Sequence, residues 1–152
     1  MGRPRLERID RLAAELHSGQ VDQRNVPYIE HLRAVAAGVS ESAKPVALLH
    51  DAMEDQGVTV ELLREHDLTG DEISAIQLVT RRPDETYDLF IERIANADGR
   101  AGEFAREVKR CDLEHNLGRM TTDLERLRPK LPARYERALE RLAAQPGSSS
   151  DE

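Results

Sequence analysis

The segment Pro45-Val-Ala-Leu-Leu-His50 constrains this chain most, because it is apolar nearly all the way round a helix and then stops abruptly in charge. A helix with no polar face belongs at the centre of a bundle, where every side is covered. The next residues, Asp51-Ala52-Met53-Glu54-Asp55, add three ionisable side chains to His50, four in all. At about 100° per residue, positions 50, 51, 54 and 55 of one continuous helix over 43–53 share an arc of roughly 140°. Carboxylates at the end of a buried helix cost several kcal/mol each unless something compensates them. A divalent cation is the simplest compensation.

The rest of the chain reads as helix around that segment. Ala, Leu, Glu and Arg dominate, and all four favour helix. Pro4 marks a first helix closed by Gly19, and Gln20 to Pro27 reads as a polar loop. Tyr28 to Gly38 is a second helix, and Ser40 or Ser42 is expected to cap the third. Thr59 reads as the N-cap of a short helix, and Thr69-Gly70-Asp71 opens another. Arg81-Arg82-Pro83 is a break, and the next helix is expected to start at Asp84 or Glu85. A long helix from about Gly102 to Met120 and a final one from Pro132 to Ala143 complete an all-α, compact helical bundle of seven to nine elements. At 152 residues the expectation is one domain over 1–144, followed by a disordered tail, 145–152, of sequence QPGSSSDE.

Charge and composition narrow the function classes. A net charge of −7 argues against binding a nucleic-acid polymer. It does not argue against a small anionic substrate, since a metal and a few arginines reverse the local potential. The single Cys111 admits no intrachain disulfide and fits a reducing compartment; it reads as a buried small residue and not as a nucleophile. No apolar run approaches the roughly 20 residues of a membrane span. The MGRPRLERID start has no signal-peptide core, and Leu6 does not fit a myristoylation motif. The expected compartment is the cytoplasm.

One helix face cannot close a metal shell. His31 and Asp112 are the candidates from elsewhere, and Asn116 lies one turn after Asp112 on the same helix face. Two imidazoles and two carboxylates form a mixed N/O site suited to Mn²⁺, Fe²⁺ or Co²⁺, with Mg²⁺ and Zn²⁺ also compatible. His17, His66 and His115 read as ordinary histidines, and His115 is expected to project away from the Asn116 side of Asp112.

The ordered set Pro27-Tyr-Ile-Glu-His31, Ala47-Leu-Leu-His-Asp-Ala-Met-Glu-Asp55, Leu78-Val-Thr80, Val108-Lys-Arg-Cys-Asp112 and Asn116-Leu117 resembles the HD-domain phosphohydrolases. It is most similar to their guanosine tetraphosphate (alarmone) hydrolase branch. The resemblance spans about Tyr28 to Met120. It implies one divalent metal, usually manganese, held by His31, His50, Asp51 and Asp112, with Glu54 and Asp55 serving the attacking water. A small, phosphorylated, nucleotide-like substrate is implied with it. Arg81, Arg82 and Lys109 are the expected phosphate contacts. Asn116 and Tyr87 complete the substrate-side candidates, Tyr87 more as a partly buried anchor.

One position departs from that branch. Its Arg-Lys pair before Pro-Tyr reads Asp22-Gln23 here, with Arg24 out of register. Three functions therefore stand side by side: pyrophosphate removal from a ribose 3′ position, a 5′-nucleotidase-type phosphomonoesterase, and a non-catalytic metal- and nucleotide-binding sensor. Intact Glu54 and Asp55 weigh against the third.

Overall fold

The computed structural model describes residues 2–143; the tail expected to be disordered lies outside them. Ten α-helices follow one another: α1 (Gly2–Leu16), α2 (Tyr28–Ala37), α3 (Lys44–Leu49), α4 (Ala52–Gln56), α5 (Val60–Glu65), α6 (Gly70–Leu78), α7 (Tyr87–Ala95), α8 (Gly99–Gly118), α9 (Thr122–Leu127) and α10 (Leu131–Ala143). A 3₁₀ turn, Glu41–Ala43, precedes α3. Among the described residues the only β pairing is an isolated bridge, Val21 to Pro27, that pinches the loop before α2. Among the described residues no helix is long and apolar enough to cross a membrane.

Helix α3 lies at the centre, as its apolar circumference requires. Pro45 through Leu49 are all buried, and α1, α2, α6 and α8 pack against it. Leu32 and Val35 of α2, Ile76 of α6, Ile94 of α7, Val108 and Leu113 of α8 and Leu142 of α10 close the core. Aliphatic side chains supply nearly all of it, each contributing about 1.5–3 kcal/mol on full burial.

The expected continuous helix over 43–53 is instead two short helices that break at His50–Asp51. The reason is local. His50 N–H reaches back to Ala47 O at 3.5 Å, a three-residue step, while the His50 ring Nδ1 donates to the same carbonyl at 2.6 Å. Asp51 then takes φ −102°, ψ 2° and becomes the N-cap residue of α4. Gly57, at φ 66°, ends α4 in the left-handed conformation that a side chain would oppose.

Side-chain caps set most other boundaries. Thr59 accepts from Leu62 N–H, and Thr69 with Glu72 forms a reciprocal capping box. Thr86, rather than Asp84 or Glu85, caps α7, because Glu85 is drawn into a 2.7 Å pair with Arg93. Thr121 caps α9, a helix where the sequence suggested none. Ser40 precedes the 3₁₀ turn, but its hydroxyl donates to Glu107 at 2.9 Å rather than capping. Cys111 is half-buried rather than buried, and its Sγ would lie 2.3 Å from any Cβ at Gly38, so glycine lets α2 and α8 meet.

The α7–α8 corner depends on a second close approach. Buried Arg106 donates to the carbonyls of Ala97 (2.7 Å), Ile94 (3.3 Å) and Ala95 (3.4 Å), satisfying the C-terminal end of α7. A Cβ at Gly102 would sit 2.3 Å from that same Ala97 carbonyl oxygen. Helix propensity favours alanine over glycine by about 1 kcal/mol, but the obstacle is backbone and cannot swing aside. Gly102→Ala is therefore expected to destabilise the fold, by roughly 1 kcal/mol or more net, read as a lower Tm by thermal circular dichroism. An unchanged or raised Tm would show that the corner is not closely packed.

Candidate metal centre

Three helices converge on one carboxylate. Asp112, in the middle of α8, is buried and places Oδ1 2.9 Å from His31 Nε2 on α2 and 3.2 Å from His50 Nε2 at the end of α3. One ligand atom from each of His31, His50 and Asp112 falls within 4.8 Å of the other two. Asp51 Oδ2 stands 3.3 Å from His50 Nε2. The break after α3 thus leaves His50 and Asp51 facing one centre, as a continuous helix was expected to do by another geometry.

These spacings fit a small divalent ion. Ligand atoms about 2.0–2.2 Å from such an ion stand about 3 Å apart when they occupy neighbouring positions. The donor set of two imidazoles and two carboxylates, largely shielded from water, can hold Mn²⁺, Fe²⁺ or a related ion.

Neighbouring groups orient each ligand. The His50 Nδ1–H bond to Ala47 O leaves Nε2 as the atom facing the carboxylates. Tyr28 Oη donates to Asp51 Oδ2 at 2.5 Å, and Lys109 Nζ donates to Asp112 Oδ2 at 3.0 Å. Asn116 Nδ2 approaches Asp112 Oδ1 at 3.4 Å. Asn116 Oδ1 in turn accepts from Arg119, which donates onward to Asp22 at 3.0 Å.

His115, expected to be an ordinary histidine on the opposite side of Asp112 from Asn116, is a partner of the site. Its Nδ1 lies 2.7 Å from His31 Nδ1, with the rings stacked at 4.9 Å. Burial lowers the His115 pKa, so the ring stays neutral and can accept the His31 Nδ1–H proton. That arrangement frees His31 Nε2 as a metal ligand. His17 is not ordinary either: it is buried against Tyr28, with Nδ1 2.7 Å from Gln20 Oε1. A helical wheel around Asp112 puts positions 115 and 116 on either flank of it, which is the signal that could have found His115. Nothing in the sequence pointed to His17.

The electrostatics follow from burial opposed by charge. Desolvation disfavours charged His50, but Asp51 and Asp112 outweigh it and push its pKa up to about 9. Burial opposes ionisation of Asp112, yet Lys109 and His50 hold it well below the usual carboxylate range. Burial lowers His31 despite Asp112 beside it. Asp55 is raised, first by burial and then by Asp51, and accepts from Gln20 Nε2 at 3.2 Å.

The remaining sequence candidates stand around this centre. Glu54 is exposed and accepts from Arg81 N–H at 3.2 Å, joining α4 to the loop after α6. Arg81 stacks over Tyr87 at 5.7 Å, and Arg134, which sequence reasoning did not single out, lies 3.8 Å over the same ring. Arg82 is exposed; its backbone bonds Glu85, and among the described residues no bond joins it to the His31–His50–Asp112 cluster. Tyr87 is a partly buried anchor as expected, and its buried hydroxyl has no hydrogen-bond partner among the described residues.

No family model matches the sequence, and no curated protein matches it. The fold does have solved counterparts. One is a metazoan ortholog of SpoT, described as hydrolyzing ppGpp and playing a role in starvation responses. It is similar at a TM-score of 0.76 with 20% sequence identity, over 93% of this chain and 86% of that one. The all-α architecture is therefore the HD-domain fold seen in an alarmone hydrolase, as the ordered motifs suggested.

Two outcomes follow from the site's protons. Without metal, the raised His50 pKa stabilises the fold fully below about pH 6.5 and loses that contribution as pH rises through about 9. An entering cation must displace this proton, so Mn²⁺ affinity is expected to rise with pH up to about 9, by approaching tenfold per unit. Calorimetric titration at pH 6, 7 and 8 reads it, and a flat profile would contradict it. His115→Phe is expected to lower Mn²⁺ affinity roughly 10–100-fold while the fold survives.

Proposed function

We propose that this HD-fold chain is a metal-dependent phosphohydrolase acting on a phosphate ester or anhydride of a nucleotide-like small molecule. The observation that carries the reading is the buried His31–His50–Asp112 cluster with Asp51 beside it. So costly a concentration of polar groups inside an apolar bundle is matched by a bound cation. Mn²⁺ is the ion favoured by the N/O donor set and by the resemblance.

In this reading His31, His50, Asp51 and Asp112 are the ligands. When bound, the ion supplies Lewis acidity, polarising a phosphoryl oxygen and making water a stronger acid. Asp55 and Glu54, at the start of α4, orient the attacking water and take its proton. Asp55 suits that task because its raised pKa makes it a stronger base than an ordinary carboxylate. Lys109 and Arg81 offer donors to phosphoryl oxygens, and Asn116 orients Asp112. Water adds to phosphorus, the P–O bond to the leaving group breaks, and that oxygen leaves with a proton.

Pyrophosphate release from a ribose 3′ position is the reaction the resemblance implies. One observation favours the phosphomonoesterase alternative. Where the alarmone branch carries its basic pair, Asp22 is a buried carboxylate held by Arg119 and by the N–H groups of Arg24 and Val26. The loop therefore presents a different surface to a base. The identity of the product, pyrophosphate or orthophosphate, separates the two.

Asp51→Ala is expected to lose metal and turnover together. Glu54→Ala and Asp55→Asn keep the metal and lower kcat by roughly 10²–10⁴. Metal content by mass spectrometry, beside product release with Mn²⁺ across a nucleotide panel that includes guanosine tetraphosphate, checks both. An Asp51→Ala protein with full metal and full activity would overturn the assignment.

A further inference from the structure

On a chain of net charge −7, one cavity collects positive charge alone. A groove of about 700 Å³ between the end of α9 and the start of α10 is lined by Arg128, Lys130, Arg134 and Arg137, with Pro129 and Leu131 among its apolar residues. No carboxylate lines it, whereas four other surface cavities each include at least one. None of the four cationic side chains makes a hydrogen bond or ion pair to a described residue. Arg5, Arg33, Arg93 and Arg119, by contrast, are engaged with Glu72, Asp10, Glu85 and Asp22.

Four like charges around one concavity repel each other; the acids that stand near two of them, Asp88 and Glu92, line a separate cavity shared with Arg134 and Arg137 and not this groove. An anion of several charges seated in the groove would relieve the repulsion. A polyphosphate chain matches in kind, because guanidinium groups bind phosphate oxygens bidentately. Arg134 joins the groove to residues beside the candidate centre. It lines the groove and stacks at 3.8 Å over Tyr87, a ring that Arg81 also faces at 5.7 Å, and Arg81 N–H bonds Glu54. Lys109, which holds Asp112, lies 5.3 Å over the Phe90 ring, which in turn meets the Tyr87 ring at 6.0 Å.

We infer that the groove of Arg128, Lys130, Arg134 and Arg137 is a polyphosphate-binding subsite, which takes the non-reacting phosphates of a nucleotide whose scissile phosphate lies at the metal centre. The second half of this statement rests on the proposed phosphohydrolase reading; the first half does not. Arg134 links the two places and sets how many phosphates the ligand carries.

Sodium tripolyphosphate titrated calorimetrically into the EDTA-treated full chain tests the groove without turnover. Arg134→Ala and Arg137→Ala are each expected to weaken binding roughly tenfold, with Arg134→Lys in between. Arg126→Ala, an exposed arginine paired with Asp123 on α9, is expected to leave it unchanged. Asp51→Ala is likewise expected to keep tripolyphosphate affinity, so failure of the metal reading and failure of the groove are seen separately. Equal affinity in wild type, Arg134→Ala and Arg137→Ala would overturn the subsite. So would an equal loss in Arg126→Ala, which marks mere surface charge, or orthophosphate binding as tightly as tripolyphosphate.

Discussion

A single buried carboxylate, Asp112, sets the terms for the rest of the molecule. Its desolvation would cost several kcal/mol if it stood alone among leucines. Instead Lys109 takes one oxygen while His31 and His50 converge on the other. Those contacts tie α8 to α2 and to the end of α3, so the three helices can cross only where the imidazoles meet the carboxylate. Packing around α3 supplies the driving force, being non-directional; the polar cluster supplies the register.

The helix break at His50–Asp51 is a consequence of the same constraint. An uninterrupted helix would carry Asp51 round by about 100° from His50. The tightened turn, sealed by the His50 ring on Ala47 O, lets both side chains face one centre and starts α4 afresh. Restarting α4 at that point also places Glu54 and Asp55 in its first turn, where the helix dipole favours carboxylates.

A second layer of polar groups extends outward from the cluster. His115 and Tyr28 bond directly to His31 and Asp51, while Asn116, Arg119 and Asp22 form a chain from α8 to the loop before α2. Arg119 also lies 5.7 Å over the Tyr28 ring, so the loop, α2 and α8 are fastened at one point. The loop's pinch between Val21 and Pro27 and the positive φ of Asn25 (65°) fit the same fastening. Asp22 thus has a structural task here, a physical reason for a carboxylate in a position that a basic residue fills in the resembling branch.

The sequence by itself determined the helical class and the central place of the Pro45–Leu49 segment, and it marked His31, His50 and Asp112, which lie together in the structure, as candidates. It could do so because an apolar helix ending in charge has few solutions, and because ligand-type residues in a fixed order carry their own chemistry. Tertiary structure alone decided the break after Leu49, the partnership of His115 with His31, the burial of His17 and the cationic groove reached through Arg134. Each depends on contacts between residues far apart in the chain or on a backbone carbonyl's exact reach. Such terms have no period or spacing to reveal them, since they arise only when helices have already found their crossing points.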